Sequence, residues 1–267
     1  MSFDKITTQG MVLLGCGKMG SAMLAGWLSQ GIPAASIHVI EPHPSDWLRG
    51  TGVVLDGALP EAPAVAILAV KPQMMGAALP RLQDLGDGRT LFISVAAGTS
   101  LAQLAATLGD QAPVIRAMPN TPAAVGAGIT ALIGNTRVTG DDIALAEALL
   151  AAVGTTVELQ SEAQMDAVTG LSGSGPAYVF HLIEAMAAAG EAEGLDAELA
   201  MTLARATVIG AGQLALAAPE SAAQLRINVT SPQGTTAAAL DVLMPELTGL
   251  MTRAIRAAAQ RSRELSQ

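Results

Sequence analysis

The first part of the chain alternates short apolar runs with stretches of helical character. Continuous apolar runs bounded by turn or charged residues are typical of parallel strands buried on both faces. Such runs predict strands at residues 11–14, 37–40, 64–70, 91–95, 114–118, 129–133 and 155–159. A helix is predicted over residues 18–30, directly after the first strand. This alternation predicts an α/β fold, with a doubly wound, Rossmann-type domain over residues 1–160.

The second part of the chain, residues 161–267, consists of long alanine-rich segments. Helices are predicted over residues 176–194, 196–218, 235–243 and 246–265. Gly194 and Pro219 are helix-stop residues, Asp196 is a capping residue, and Pro176 suits a first helical position. The second domain is therefore predicted to be all-helical.

One predicted helix of this second domain, residues 201–218, is apolar on nearly every side. Only Arg205 and Gln213 interrupt it. A helix that is apolar all round is normally buried, and this small domain offers too little surface to cover it. The pattern predicts a homodimer built from the helical domain, with assembly into a larger homo-oligomer left open. A compact monomeric bundle is the alternative.

Composition and charge exclude several classes of partner. The chain is 51% hydrophobic and 2% aromatic, with a net charge of −9. Nucleic-acid binding needs clustered cations and stacking aromatics, so neither DNA nor RNA is an expected partner. The first ten residues carry Asp4 and Lys5 before any apolar run, which is unlike a signal peptide. No uninterrupted apolar run approaches the roughly 20 residues that span a bilayer, so a cytoplasmic protein without a membrane partner is expected.

Cysteine and histidine usage argues against a metal centre. Cys16 is the single cysteine, so the chain cannot form an intrachain disulfide. The three histidines, His38, His43 and His181, are too scattered for an obvious zinc cluster. No metal ligand is therefore predicted.

The segment Gly15-Cys16-Gly17-Lys18-Met19-Gly20 fits the pattern G-x-G-x-x-G between the first strand and the first helix. The first glycine permits the tight turn and the second lets the backbone approach a pyrophosphate. The third allows the helix to lie close to the strand. In this position the segment predicts dinucleotide binding.

Glu41 ends the second predicted strand. An acid there can accept hydrogen bonds from the adenosine ribose and repel a 2′-phosphate, which favours NAD over NADP. A solvated acid in a proline-rich turn is the alternative. His43 or Arg49 could still meet a phosphate, so the cofactor is predicted as NADP or NAD.

Three further loops follow predicted strands, where ligands of doubly wound sheets bind. The first is Ala69-Val70-Lys71-Pro72, which is expected to contact the cofactor; the alternative for Lys71 is an ordinary surface lysine. The second contains Val95, Ala96 and Ala97, whose small side chains leave room for a ring. The third, residues 118–122, carries two prolines around Asn120. Asn120 contacts the cofactor, orients neighbouring backbone groups, or belongs to a rigid structural turn.

Residues 228–240 place hydroxyls, a proline turn and a glycine before an alanine-rich helix. Free backbone N–H groups and the positive end of the helix dipole meet there, beside the hydroxyls of Ser231, Thr235 and Thr236. The stretch is therefore a candidate anion site, although such a helix start is usually only a cap.

These motifs, together with Leu-Ser-Gly-Ser-Gly-Pro-Ala-Tyr at residues 171–178, resemble in order those of pyrroline-5-carboxylate reductases over nearly the whole chain. The resemblance implies NAD(P)H-dependent reduction of the imino acid 1-pyrroline-5-carboxylate to L-proline, the last step of proline biosynthesis. It also implies that Thr236 is catalytic, close to the ring nitrogen, and that Glu162 favours the cationic imine. The substrate-binding residues that it implies are Glu162, Asn228, Ser231, Gly234, Thr235 and Thr236.

Two other functions compete with this one. A β-hydroxyacid dehydrogenase shares the architecture, but commonly relies on a lysine of its helical domain, and this chain has no lysine after Lys71. A non-catalytic nucleotide-binding protein is the second rival. It is favoured only by Gln233, which stands where the resembled family has a small residue, usually glycine. If the turn requires a positive φ there, Gln233 costs about 1 kcal/mol.

Overall fold

The computed structural model describes residues 3–265. In this part of the chain eight strands alternate with helices and short 3₁₀ turns, and longer helices follow. The strands are β1 Met11–Leu14, β2 Ile37–Ile40, β3 Val54–Leu55, β4 Val65–Leu68, β5 Leu91–Ser94, β6 Val114–Met118, β7 Gly128–Gly134 and β8 Gly154–Glu158. The α-helices are α1 Asp4–Gln9, α2 Lys18–Ser29, α3 Asp46–Arg49, α4 Pro72–Ala78, α5 Leu101–Leu108, α6 Gly140–Leu150, α7 Met165–Val168, α8 Gly175–Ala192, α9 Ala197–Ala217, α10 Ala222–Asn228 and α11 Thr235–Leu265.

The eight strands form one sheet in the order β3-β2-β1-β4-β5-β6-β7-β8. Neighbours from β3 to β6 are parallel, β7 runs antiparallel to β6, and β8 is parallel to β7. Leu14 of β1 lies opposite both Ile40 and Leu68. The order of strands thus reverses at β1, which places the turn after β1 at the position where doubly wound sheets bind ligands.

Two hydrophobic clusters lie on the two faces of this sheet. One packs Met11 and Leu13 against α2 and α6, and the other packs Val12 and Leu14 against α4 and α5. β1, β4 and β5 are buried at every position, as expected for strands covered on both faces. This confirms the predicted α/β class and the strand assignments, to within two residues at each strand end.

The chain forms two compact units whose limits differ from the predicted domains. The first comprises residues 3–173 together with 259–265, and the second comprises residues 174–258. The sheet lies entirely in the first unit. The last turns of α11 therefore pack with the first unit, although they are far from it in sequence.

The second unit is all-helical, as predicted, but it has a very small core of its own. α8 and α9 bury Ala187, Ala200 and Ala204 between them. Large apolar side chains stay exposed, including Phe180 at 59% and Ile209 at 52%. Within residues 3–265, α9 alone is long and apolar enough to cross a membrane by length and composition, and 11% of that stretch is buried.

Pro245 does not divide the last helix. Two helices were expected on either side of it, but α11 runs continuously from Thr235 to Leu265 with Pro245 inside. Proline removes one helical hydrogen bond, and the Ala-, Leu- and Met-rich residues on both sides retain a strong preference for helix. Helix α10 was missed because it is short, with Ser221 accepting a hydrogen bond from the Gln224 N–H as its cap.

Replacing Thr90 with valine should stabilise the protein. Thr90 is fully buried before β5, and its hydroxyl has no hydrogen-bond partner. Because a buried unpaired hydroxyl is costly, Thr90→Val should raise the free energy of unfolding by about 1 kcal/mol in urea denaturation. Thr139→Val is the matched control: the Thr139 hydroxyl caps α6, so this change should lower stability by about 1 kcal/mol. A loss of stability in Thr90→Val would contradict the expectation.

Candidate functional site

The glycine turn after β1 has the geometry that the sequence predicted. Gly15 has φ of +90°, and a Cβ there would lie 2.8 Å from Val70 Cγ1. A Cβ at Gly20 would lie 2.5 Å from the Gly15 carbonyl oxygen, whereas a Cβ at Gly17 would meet nothing within 4 Å. Gly15 and Gly20 are thus required for the turn and for close packing of α2, while the backbone at Gly17 is open to a ligand.

Helix α2 begins at this open face without a side-chain cap. Gly17 is its N-cap, and the first helical hydrogen bond runs from the Ser21 N–H to the Gly17 carbonyl. The N–H groups of Lys18 and Met19 precede that bond and are not used within the helix. An anionic pyrophosphate fits a helix start of this kind, so the residues present are suited to a dinucleotide.

Cys16 is buried in the turn beside Glu41. Its N–H donates to Glu41 Oε2 at 2.9 Å, and its carbonyl accepts a hydrogen bond from the Ser21 hydroxyl. Burial raises the pKa of the Cys16 thiol, the hydrogen bond with Ser21 opposes this rise, and the charge of Glu41 adds to it. The thiol is therefore protonated near neutral pH and is a poor nucleophile.

The other predicted cofactor loops follow the strands next to β1. The ladder continues beyond the strands, with the Ala69 N–H donating to the Leu14 carbonyl and the Val95 N–H to the Leu68 carbonyl. Lys71 is exposed and is followed by Pro72 in the first turn of α4. The structure thus brings together the loops after β1, β4 and β5 at the carboxyl ends of these neighbouring strands.

A buried hydroxyl shapes the small-residue loop after β5. Ser94 is fully buried, and its Oγ accepts a hydrogen bond from the Ala96 N–H at 3.4 Å. Ala96 is itself buried, whereas Ala97 is exposed. The loop therefore carries small side chains at Ala96 and Ala97, and the space for a ring that they were expected to leave stays a prediction.

Both ends of the Asn120 amide bind the protein itself. Its Nδ2 donates to the Ser172 carbonyl at 3.2 Å, and its Oδ1 accepts from the Ile129 N–H at 3.0 Å. Asn120 thereby ties the loop after β6 to β7 and to residues near the end of the first unit. Of the three roles considered for Asn120, this geometry favours the orientation of neighbouring backbone groups.

Glu162 is engaged by two partners within the first unit. Its Oε1 lies 2.8 Å from Arg116 Nη1 and accepts a hydrogen bond from the Leu101 N–H at 2.9 Å. The Arg116 side chain is only 7% exposed, so Glu162 neutralises a nearly buried charge and also interacts with the start of α5. The resemblance implied a substrate contact for Glu162, which stays a prediction; in the structure its carboxylate pairs with Arg116.

Arg116 is a nearly buried charged residue that sequence reasoning missed. It lies within the otherwise apolar strand β6, at residues 114–118. A lone cation inside a buried strand was the available signal, because such a group requires a counterion. The identity of that counterion was hidden by the sequence separation of 46 residues between Arg116 and Glu162.

The turn before α11 has the pattern of a type II turn. The Gly234 N–H donates to the Ser231 carbonyl at 3.0 Å, with Pro232 at the second position and Gln233 at the third. Gln233 has φ of +60°. A type II turn needs positive φ at this third position, which is why glycine is preferred there. The conditional expectation about Gln233 is thus met: the turn does require a positive φ.

Donors at the start of α11 have no partner inside the helix. The first hydrogen bond of this helix runs from the Ala238 N–H to the Gly234 carbonyl, so the N–H groups of Thr235 and Thr236 precede it. In the described part of the chain neither threonine hydroxyl has a hydrogen-bond partner; Thr235 is exposed and Thr236 is half-buried. These groups together suit a small anionic ligand.

Asn228 lies at the end of α10, close in sequence to this turn. Its Oδ1 accepts a hydrogen bond from Gln224 Nε2 at 2.8 Å, and its side chain is exposed. The amide nitrogen of Asn228 remains a donor for a ligand.

Across residues 3–265, no group of three or more His, Cys, Asp or Glu side chains could hold a metal ion.

Comparisons with known proteins agree with these features. The family model described as pyrroline-5-carboxylate reductase dimerisation matches residues 162–265, and the one described as NADP oxidoreductase coenzyme F420-dependent matches residues 11–98. The pyrroline-5-carboxylate reductase of Pseudomonas aeruginosa is 40% identical, over 98% of both chains. The one of Bacillus subtilis is 36% identical, over 96% of this chain and 89% of the relative.

Solved structures are similar over almost the full length. The pyrroline-5-carboxylate reductase of Coxiella burnetii has a TM-score of 0.92 at 36% identity, covering 97% of this chain and 99% of the other. The pyrroline carboxylate reductase of Plasmodium falciparum, solved with NADP bound, has a TM-score of 0.82 at 27% identity, covering 98% and 99%.

Replacing Gln233 with glycine should stabilise the turn. Because glycine adopts positive φ without a steric penalty, Gln233→Gly should raise the free energy of unfolding by about 1 kcal/mol. Thermal and urea unfolding would measure the change. Gln260→Gly, in the interior of α11, is the matched control and should lower stability by about 1 kcal/mol. Equal losses in both variants would show that the backbone at Gln233 is not strained.

Proposed function

This chain belongs to the pyrroline-5-carboxylate reductase family, and we propose that it binds its substrate at the start of α11. The protein reduces 1-pyrroline-5-carboxylate to L-proline with NAD(P)H. The observation that supports the proposed substrate site is the set of free N–H groups and unpartnered hydroxyls at Thr235 and Thr236. A β-hydroxyacid dehydrogenase is not favoured, since the helical unit has no lysine.

In this proposal the substrate carboxylate is held by the turn at residues 231–234 and by the first helical turn of α11. The N–H groups at the helix start and the Ser231 hydroxyl supply donors, and the helix dipole favours the negative charge. Gly234 keeps this approach open, since a side chain there would crowd Ser231, whose carbonyl oxygen would lie 3.1 Å from an added Cβ. Asn228 contributes its amide nitrogen.

Thr236 is the proposed catalytic residue. The reduced nicotinamide, when bound, supplies the hydride that the imine carbon accepts. The ring nitrogen carries a proton in the reactive imine, so the carbon is already electrophilic and the protein needs no strong acid. In the neutral imine the Thr236 hydroxyl donates to the ring nitrogen and helps to deliver its proton. In the protonated imine the same hydroxyl accepts a hydrogen bond from the ring N–H, so catalysis is mainly orientation and electrostatic stabilisation.

In this proposal the cofactor binds in the first unit, at the carboxyl ends of β1, β4 and β5. The N–H groups of α2 at Lys18 and Met19 hold the pyrophosphate, beside the open backbone of Gly17. The loops at residues 69–72 and 95–97 border the nicotinamide. Asn120 orients the loop after β6, and Glu162 acts as the counterion of Arg116, because those are the contacts that their side chains make.

The protein forms homo-oligomers through its dimerisation domain. We propose that the basic assembly is a homodimer in which a second copy covers the exposed apolar side chains of α8 and α9. Those side chains are too numerous for a stable monomer surface, and the core of three alanines cannot bury them. The same cover accounts for the apolar character of α9. A cytoplasmic location fits a chain with one free cysteine.

A spectrophotometric assay tests the activity and the role of Thr236. Purified protein with 1-pyrroline-5-carboxylate should oxidise NADH or NADPH, and Thr236→Ala should lower kcat by about 10- to 100-fold, the equivalent of one lost charge-assisted hydrogen bond. The KM for the cofactor should change little. Thr8→Ala, on the exposed face of α1, is the control and should retain full activity. An unchanged kcat in Thr236→Ala would contradict the catalytic role of Thr236 and leave it only a structural role at the start of α11.

Light scattering after size exclusion tests the assembly. The wild-type protein should have the mass of at least two 26.9-kDa chains. Leu203→Glu places a charge on the exposed apolar surface of α9, where Leu203 is 48% exposed, and should shift the protein towards monomer. Val157→Glu, at a similarly exposed position on β8, should keep the wild-type mass. A monomeric wild-type protein would overturn the proposal.

A further inference from the structure

The carboxylate of Glu41 is fixed at the end of β2 by two backbone donors. Its Oε2 accepts the Cys16 N–H at 2.9 Å, and its Oε1 accepts the His43 N–H at 3.0 Å. The Gly15 N–H donates to the Ile40 carbonyl, so the end of β2 lies directly beside the glycine turn. Glu41 is therefore a positioned charge next to the dinucleotide turn, and the alternative of a freely solvated acid is not what the structure shows.

A charge in this position acts on one part of the cofactor in particular. In doubly wound sheets the adenosine ribose lies near the end of the second strand, where an acid accepts a hydrogen bond from its 2′-hydroxyl. NADP carries a 2′-phosphate there instead, with a charge between about −1.5 and −2 at neutral pH. A fixed carboxylate favours the hydroxyl and repels the phosphate.

The backbone directly after Glu41 offers little to compensate for that repulsion. Pro42 and Pro44 have no N–H, and the N–H of His43 between them is already donated to Glu41. The Ser45 hydroxyl accepts the Leu48 N–H at 3.2 Å as the cap of α3. Residues 42–44 therefore have no free backbone donor for a phosphate, and the groups left to meet one are the exposed His43 imidazole, the Ser45 O–H and Arg49 at the end of α3.

We infer that Glu41 makes this protein selective for NADH over NADPH, a refinement that rests on the proposed cofactor site. Selectivity comes from the fixed carboxylate, which accepts a hydrogen bond from the ribose 2′-hydroxyl and repels a 2′-phosphate, and from residues 42–44, which offer no free backbone N–H to a phosphate. Glu41 is a specificity-determining residue and takes no part in hydride transfer.

Calorimetric titration of the full-length protein with NADH and with NADPH, without substrate, tests the inference. Wild-type protein should bind NADH at least about tenfold more tightly. Glu41→Gln keeps an oxygen acceptor but removes the charge, so the preference should fall by about tenfold, mainly through tighter NADPH binding. Glu61→Gln is the matched control: Glu61 is exposed and precedes β4, at the opposite edge of the sheet, so the preference should stay unchanged.

Equal or tighter binding of NADPH by the wild type would overturn the inference, as would an unchanged preference in a folded Glu41→Gln protein. If that variant does not fold, the wild type alone decides: raising the salt concentration should screen the repulsion and narrow the preference. A preference that does not respond to salt would then overturn the role of the charge. Arg49→Gln adds a check, because a loss of NADPH binding in that variant would assign the phosphate to Arg49.

Binding and turnover separate this inference from the proposed function. Selective NADH binding without oxidation in the presence of 1-pyrroline-5-carboxylate would reject the proposed site chemistry and leave the role of Glu41 intact. Turnover that is equally efficient with both cofactors, together with equal affinities, would reject the role of Glu41 and leave the reductase activity intact.

Discussion

The close approach of α2 to the turn after β1 is the constraint on which the cofactor half of the molecule depends. The helix reaches the strand so closely that even a methyl group at Gly20 would meet the Gly15 carbonyl at 2.5 Å. Because the helix lies this close to the strand, its free N–H groups and the open backbone of Gly17 lie beside the end of β1. The strand order then adds the loops after β4 and β5. A ligand site therefore follows from one packing distance and one topology.

Features encoded in short stretches of sequence were predictable. Continuous apolar runs predict buried parallel strands. The spacing of three glycines within residues 15–20 predicts the turn that follows the first strand. The backbone at Gln233 was raised only as a condition, from the glycine that the resembled family usually has there, and the structure meets that condition with a φ of +60°. Local chemistry decides the strands and the glycine turn, so a single sequence suffices for those two features.

Features that depend on distant partners were not predictable. The salt bridge between Arg116 and Glu162 joins β6 to a segment 46 residues later, and no local pattern names that partner. Helix α11 continues through Pro245 because the energy of the whole helix outweighs the loss of one hydrogen bond. The sequence divides the chain at residue 160, the family model for dimerisation begins at residue 162, and the compact units divide after residue 173. The boundary indicated by the change in composition therefore differs from the boundary between the packed units.

The return of α11 to the first unit makes the second unit an insertion. Residues 259–265 pack with residues 3–173, and Ser262 donates to Asp166 Oδ1 at 2.7 Å within that unit. The chain consequently crosses between the units twice, once near residue 173 and once within α11. A single cut of the backbone between residues 174 and 258 would therefore leave part of the first unit on each fragment. The fragments of such a cut would stay associated through the packing of residues 259–265 with residues 3–173.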